Sequence, residues 1–315
     1  MAIEVLFTYN YGENKMNLVK ELGFDVTLID ESSLTYSEQI KNTEVLVCYN
    51  PFCTLDISLM KSLRFIQLSS TGVDQLPFEA VKRAGIIVSN NKGGYSIPMG
   101  EWVVMNILEL LKNSYSLYKQ QMNKKWKIDT TLLELYGKTV GFIGTGTIAV
   151  ESARRLQGFG VSILGFNTNG RDVQHFDKCF RLEELDSVLS QCDAVVITIP
   201  NTEETYHLID EEKLSKFKNG AVLVNVARGS IIDENSLIKA LTLGKLRGAA
   251  LDVFEEEPLK KDSKLWELDN VIITPHNSWI SEVRNERRWN VIYENLQKYI
   301  NGQKLINVVN IEKRY

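Results

Sequence analysis

The feature that most restricts this chain is a recurring alternation of short runs rich in β-branched and aromatic residues with stretches of helical apolar spacing. From residue 3 to about 90 the runs IEVLFT, FDVTLI, EVLVC, RFIQL and IIVSN alternate with KMNLVKEL, ISLMKSL and FEAVKRA. Strands separated by helices form parallel sheets covered on both faces, which is why such runs are apolar nearly throughout. A second series follows: TVGFIG, VSILGF, DAVVITI, AVLVNV, GAALDV and NVIIT, with helical segments between most of them. The apolar-periodic stretch MGEWVVMNILELLKN at 99–113 leads into it. The segment ISEVRNERRWNVIYENLQKYI at 280–300 reads as a helix polar on one face that returns to the first unit. Two α/β units are expected, the first built from both ends of the chain.

A length of 315 residues suits two such cores. The net charge of -4 gives no basic footprint, so nucleic acid is not an expected partner. The opening MAIEVLFTYN reads as a strand without a basic leader, and no apolar run approaches the roughly 18 residues that span a bilayer. The expectation is a cytoplasmic protein with no membrane association. Four cysteines lack CxxC spacing and only three histidines are present, so no metal is expected and the thiols read as reduced.

Residues 139–149, TVGFIGTGTIA, set Gly144, Gly146 and Ala149 in a G-x-G-x-x-A pattern after a β run and before a helical one. Gly144 permits the tight turn, Gly146 lets backbone approach a pyrophosphate, and Ala149 allows close helix–strand packing. Thr147 and Ile148 then open the helix whose N-terminus faces the phosphates. An NAD site would place an acidic residue about 18 residues past Ala149, on the ribose 2′-hydroxyl. Asn167 stands there, followed by Thr168 and Arg171, so the carboxylate that would repel a 2′-phosphate is missing and donors are present. NADP is the preferred cofactor on this reading, with NAD as the alternative.

Arg228 in VNVARGSIID, Glu257 in ALDVFEEEP and His276 in ITPHNSW each follow a strand-like run. In open α/β sheets the carboxyl ends of strands line the ligand crevice, so the three can converge. Reducing a 2-oxo acid requires a hydride at the carbonyl carbon, a proton at its oxygen and a fixed carboxylate. Arg228 offers a charged fork for carboxylate and carbonyl, and His276 can give or take the proton. Glu257 would orient the imidazole and favour its charged form.

On GFIGTGTIA, VNVARGSIIDENSL, GAALDVFEEEPL and NVIITPH, in that order, and on STGVDQLP in the first unit, the chain resembles the D-isomer-specific 2-hydroxyacid dehydrogenases over nearly its whole length. The resemblance implies the roles given above for Arg228, Glu257 and His276. It further implies that Asp252 contacts the nicotinamide carboxamide and that backbone at Thr71, Gly72 and Val73 holds the substrate carboxylate. The expected architecture is α/β with two doubly wound parallel sheets: a Rossmann dinucleotide-binding domain over 99–282, inserted in a flavodoxin-like substrate domain of residues 1–98 and 283–315, with the active site in the cleft. Members of the family usually form homodimers through the dinucleotide domain, with the stretch Trp102–Leu111 and the arm near Trp126 as candidate contacts.

The chain departs from the family pattern in two places, and a third segment bears on the substrate. Asn277, Ser278 and Trp279 replace a Gly-Gly pair after His276. Leu68 stands where phosphoglycerate-type members carry an arginine, which counsels against a phosphorylated substrate. The loop Tyr49–Phe52 puts two aromatics where substrate side chains are contacted. The leading reading is an NADP-preferring reductase of glyoxylate or hydroxypyruvate, giving the D-hydroxy acid. The alternatives are an NAD-linked phosphoglycerate dehydrogenase-type enzyme and a non-catalytic dinucleotide-sensing binding protein.

Overall fold

The computed structural model describes residues 2–315, which divide into two compact units, one running to Tyr95 and including Ser281–Tyr315, the other Ser96–Ile280. In the first unit the order is β1 (Ile3–Phe7), α1 (Glu13–Glu21), β2 (Phe24–Leu28), β3 (Val45–Cys48), β4 (Phe65–Leu68), α2 (Phe78–Ala84) and β5 (Ile87–Ser89). In the second it is α3 (Ser96–Leu111), α4 (Ser114–Met122), β6 (Thr139–Ile143), α5 (Thr147–Leu156), β7 (Ser162–Asn167), β8 (Lys178–Arg181), α6 (Leu185–Val188), β9 (Ala194–Ile197), α7 (Glu211–Lys216), β10 (Ala221–Asn225), α8 (Glu234–Thr242), β11 (Leu246–Leu251) and β12 (Val271–Ile273). The C-terminal helix α9 (Arg284–Ile300) belongs to the first unit.

The first unit is a five-stranded parallel sheet of order β2-β1-β3-β4-β5. Its strands alternate between two cores, as the twofold side-chain period of a strand requires. Val5, Phe7, Val45, Val47 and Phe65 face α1 and α9, against Met16, Val19, Trp289, Ile292 and Leu296. Leu6, Leu46, Cys48, Ile66 and Leu68 enter the opposite core with Leu34, Ile57, Met60 and Val81. One polar pair crosses the α9 interface: Asn295 Nδ2 donates to Gln67 Oε1 at 2.7 Å, and Asn295 Oδ1 accepts from the Ile306 amide. Both residues are fully buried and satisfied, which fixes the register of α9 on the sheet.

Helix spacing is misleading at ISLMKSL, which forms only a 3₁₀ turn over Ile57–Leu59. Asp56 caps it by accepting from the Ser58 amide at 2.9 Å, and the buried residues Ile57, Met60 and Leu63 recur every third position, the 3₁₀ period. The C-terminal helix begins at Arg284, four residues later than its apolar pattern suggests.

The second unit is a seven-stranded parallel sheet of order β12-β11-β10-β9-β6-β7-β8. Strand order reverses between β6 and β9, the place where open α/β sheets receive ligands. Helices α6, α7 and α8 cover one face through Leu185, Leu214, Leu237 and Leu241. Helix α3 lies against β10, β11 and α5, with Val103, Ile107, Leu110 and Leu111 buried. Residues Trp102–Leu111, expected as a partner surface, are therefore mostly internal core. Among the described residues no helix is long and apolar enough to cross a membrane.

Candidate active site

The glycine turn lies at the carboxyl end of β6. Gly144 has φ +100°, and a Cβ there would come within 2.8 Å of Ile199 Cγ2 and 2.9 Å of the Thr198 carbonyl carbon. The turn is locked to the end of β9, since Thr198 Oγ1 donates to the Gly144 carbonyl at 3.0 Å. Gly146 differs: a Cβ there would meet nothing within 4 Å. It is the N-cap of α5 and supplies no side-chain cap, so the amides of the first turn, Thr147 and Ile148 among them, have no acceptor within the helix. Open space in front of an uncapped helix start, behind a strand–turn junction, fits a pyrophosphate. Ala149 is fully buried, as the close packing of α5 requires.

At the end of the neighbouring strand β7, Asn167 is buried and its side chain is spent locally. Its amide nitrogen donates to the Arg171 carbonyl (2.9 Å) and to Thr145 Oγ1 (3.3 Å), while Oδ1 accepts from the Asn169 and Arg171 amides. Asn167 thus shapes the 167–171 loop and ties it to the glycine turn. Thr168 and Arg171 are exposed on that loop.

The strand-end residues of β10, β11 and β12 come together as the sheet order dictates. His276 Nδ1 lies 2.8 Å from Glu257 Oε2, and Glu257 Oε1 accepts from the Phe254 amide at 3.0 Å. Burial pushes the Glu257 carboxyl up, but the hydrogen bond from His276, the Phe254 amide and the charges of His276 and Arg228 outweigh it and hold the group below the ordinary carboxylate value. Arg228 is thereby within electrostatic reach of the pair, and its Nη1 donates to the Ala227 carbonyl at 2.7 Å. Gly229, next to it, packs so tightly on the Glu257 loop that a Cβ would fall 1.8 Å from the Phe254 carbonyl carbon. Only glycine brings those two loops together.

His276 has φ +50°, a conformation that costs free energy outside glycine and persists only when its surroundings enforce it. Asp252 enforces it. This fully buried carboxylate accepts from Thr274 Oγ1 (2.6 Å) and from the Asn277 and Ser278 amides (2.9 and 3.0 Å), and its carbonyl accepts from the His276 amide at 2.8 Å. The residue connected with the nicotinamide by resemblance is thus the anchor of the histidine loop. Trp279 closes that loop by donating from Nε1 to the His276 carbonyl at 2.8 Å.

A second polar clasp joins the loops at this edge of the sheet. His207 Nε2 lies 3.0 Å from Glu255 Oε1, which also accepts from the Glu234 amide, while the His207 amide donates to the Ser230 carbonyl. The loops after β9, β10 and β11 are joined there, and no local sequence signal marks it.

In the first unit, Thr71, Gly72 and Val73 follow β4. Ser70 Oγ donates to the Gly72 carbonyl and Asn90 Nδ2 to the Thr71 carbonyl, both at 2.8 Å. The loop is held by its carbonyls, and among the described residues its three amides have no acceptor. Leu68 is buried in the core, Phe52 packs onto that core, and Tyr49 is exposed.

An acid–base pair and a glycine turn at the carboxyl edge of one parallel sheet define a dinucleotide-binding α/β protein with groups for proton transfer. Residues 104–278 match the NAD binding domain of the D-isomer specific 2-hydroxyacid dehydrogenases, and the chain belongs to that family. It is 32% identical over 313 residues to D-3-phosphoglycerate dehydrogenase of Methanocaldococcus jannaschii, covering 98% of this chain and 60% of that one. It is likewise 32% identical over 284 residues to glyoxylate reductase of Korarchaeum cryptofilum, covering 87% and 85%. A probable 2-hydroxyacid dehydrogenase from Rhizobium etli, solved in complex with NADP, HEPES and L(+)-tartaric acid, superposes with a TM-score of 0.84 at 26% identity, covering all of both chains.

Proposed function

We propose that the protein is an NADP-preferring reductase of small 2-oxo acids such as glyoxylate or hydroxypyruvate, forming the D-2-hydroxy acid, and that it works in the cytoplasm as a homodimer. The observation that carries the chemistry is the Glu257–His276 pair at 2.8 Å, set beside Arg228 on adjoining strand ends. Gly144, Gly146, Thr147 and Ile148 would hold the pyrophosphate of the dinucleotide, with Thr168 and Arg171 at the ribose 2′-position. A bound reduced nicotinamide supplies the hydride that the carbonyl carbon accepts.

The chain's own residues do the rest. Arg228 holds the substrate carboxylate and polarises the carbonyl, and the amides of Thr71, Gly72 and Val73 are further donors for that carboxylate. Because Glu257 engages Nδ1 of His276, Nε2 is the nitrogen left to pass a proton to the carbonyl oxygen, so the oxo group gains one hydride and one proton. The Asp252 anchor keeps the ring in that orientation.

The test follows the absorbance of reduced nicotinamide with glyoxylate and hydroxypyruvate, using NADPH and NADH in parallel. We expect faster NADPH consumption, and a turnover loss of about a hundredfold or more in His276→Ala. Preference for NADH with preserved turnover would remove the Thr168–Arg171 assignment and leave the enzyme. Unchanged turnover in His276→Ala would remove its acid–base role. No turnover of any 2-oxo acid would leave a dinucleotide-sensing protein.

A further inference from the structure

The carboxyl edge of the five-stranded sheet carries an arginine that the mechanism above does not use. Arg288, on α9, is half-buried, and its Nε donates to the Tyr95 hydroxyl at 2.7 Å. Its guanidinium carbon lies 5.7 Å from the ring centroid of Tyr95 and 5.9 Å from that of Tyr9. Tyr11 is close enough that Arg288 acts on its hydroxyl: burial raises the Tyr11 and Tyr95 hydroxyls above their ordinary values, and the charge and hydrogen bonding of Arg288 oppose it. The buried Tyr11 oxygen has no hydrogen-bond partner at standard geometry among the described residues.

A half-buried guanidinium is costly unless a counter-charge compensates it. Arg155 has two, Glu151 and Glu101. Arg288 has no carboxylate within ion-pair distance among the described residues, and the nearby acid of its own helix, Glu286, is committed to Lys15. The collar is also rigidly tied to the loop assigned above to the substrate carboxylate. Tyr95 donates to the Ser69 carbonyl, the Asn91 amide donates to the Ser70 carbonyl at 2.7 Å, and Asn91 Nδ2 donates to the Arg288 carbonyl at 3.0 Å. A cation, the Tyr11 hydroxyl beside it and an exposed aromatic rim at Tyr9 therefore share one hydrogen-bonded frame with the Thr71–Val73 amides.

We infer that Arg288, collared by Tyr9, Tyr11 and Tyr95, is a subsite for a second anionic group, a carboxylate or phosphate at the far end of the substrate. The inference rests on the 2-oxo acid reading of the site. It alters what Leu68 suggested: the charge missing from β4 is supplied by α9, out of reach of a motif comparison. A planar fork beside a hydroxyl donor suits either oxyanion.

Two matched pairs of substrates separate the sources: 2-oxoglutarate against 2-oxohexanoate, and 3-phosphohydroxypyruvate against hydroxypyruvate. In the wild type we expect kcat/KM to favour the member with the second anionic group in one pair, and that pair names the group. In Arg288→Gln the ratio within that pair falls about 30-fold, mostly through KM, as loss of a charged hydrogen bond predicts. Tyr11→Phe, which removes the hydroxyl beside Arg288 and keeps the ring, lowers the same ratio, so the test survives if the arginine variant fails to fold. A wild-type ratio below one in both pairs, or a ratio unchanged in both variants, overturns the subsite. If the wild type turns over no 2-oxo acid, the enzymatic reading fails on its own. Calorimetric titration with glutarate and with inorganic phosphate then decides the subsite: binding weakened in either variant supports it, and no binding, or binding equal in all three proteins, overturns it.

Discussion

Gly144 and Gly146 stand two residues apart in one motif and answer to different demands. At Gly144 the backbone is left-handed and the Thr198–Ile199 segment leaves no room for a methyl group, whereas at Gly146 the backbone is ordinary and the space is open. Gly144→Ala should therefore destabilise the fold by about 2–3 kcal/mol through strain and overpacking, read by chemical denaturation. Gly146→Ala should keep the wild-type midpoint and lose dinucleotide affinity by about tenfold or more, read by titration of NADPH fluorescence. Retained affinity in Gly146→Ala would mean that the pyrophosphate lies elsewhere. Arg228, Glu257 and His276 were legible in the sequence because a parallel sheet puts all its strand ends on one edge, so a polar residue after each β run meets the others. The local use of Asn167 was not legible, since it depends on how the 167–171 turn closes on the side chain. Arg288 was equally hidden: on a helix with several cations, only the tyrosines arriving from β1 and from the segment after β5 distinguish it.

At the scale of elements, strands of uniform apolar composition declared themselves, and the helices that bury a regular stripe did too. Two elements without such signals were missed. Helix α4 buries none of its residues, and β8 is an edge strand of only four residues, KCFR. The connection from α4 to β6 is organised by polar groups instead. Asn113 takes φ +51° between α3 and α4 and donates from Nδ2 to Asp129 Oδ2 at 2.9 Å, while Asp129 Oδ1 accepts from the Thr131 hydroxyl and amide. The Thr131 hydroxyl first, then its amide and Asn113, hold the Asp129 carboxyl down to about 2. A carboxyl depressed on folding contributes its full stability above its ordinary value near 3.8, and loses it as the pH falls toward the folded value of about 2. Asp129→Asn should therefore lower the Tm at about pH 6, and the deficit should narrow as the pH is brought to about 3. Calorimetry across that range checks it, and a deficit constant with pH would mean that the anion is not what organises the segment.

For the whole molecule, the same connection carries the argument for a second copy of the chain. Met122, Trp126, Ile128 and Tyr136 are 83%, 99%, 81% and 77% exposed, and Tyr115, Tyr118 and Leu132 are exposed beside them in sequence. So many large apolar side chains on one segment are costly to leave in water, and exposed apolar surface of this extent favours association. The segment is also held in a defined path by Asp129, Thr131 and Arg247, whose Nη2 donates to the Thr131 carbonyl at 2.8 Å, so the apolar groups project from an ordered arm. In the homodimer proposed above, an arm presented by an identical partner would close the arrangement with twofold symmetry, as homo-oligomers of this size commonly do. Sedimentation equilibrium at micromolar concentration should give twice the chain mass of 35.9 kDa for the wild type. Trp126→Glu combined with Ile128→Glu should return it to the chain mass with the far-UV spectrum preserved, because neither side chain supports the core of its own unit. A wild type that sediments at the chain mass would remove the dimer, and a dimer that survives both charges would move the interface away from this arm.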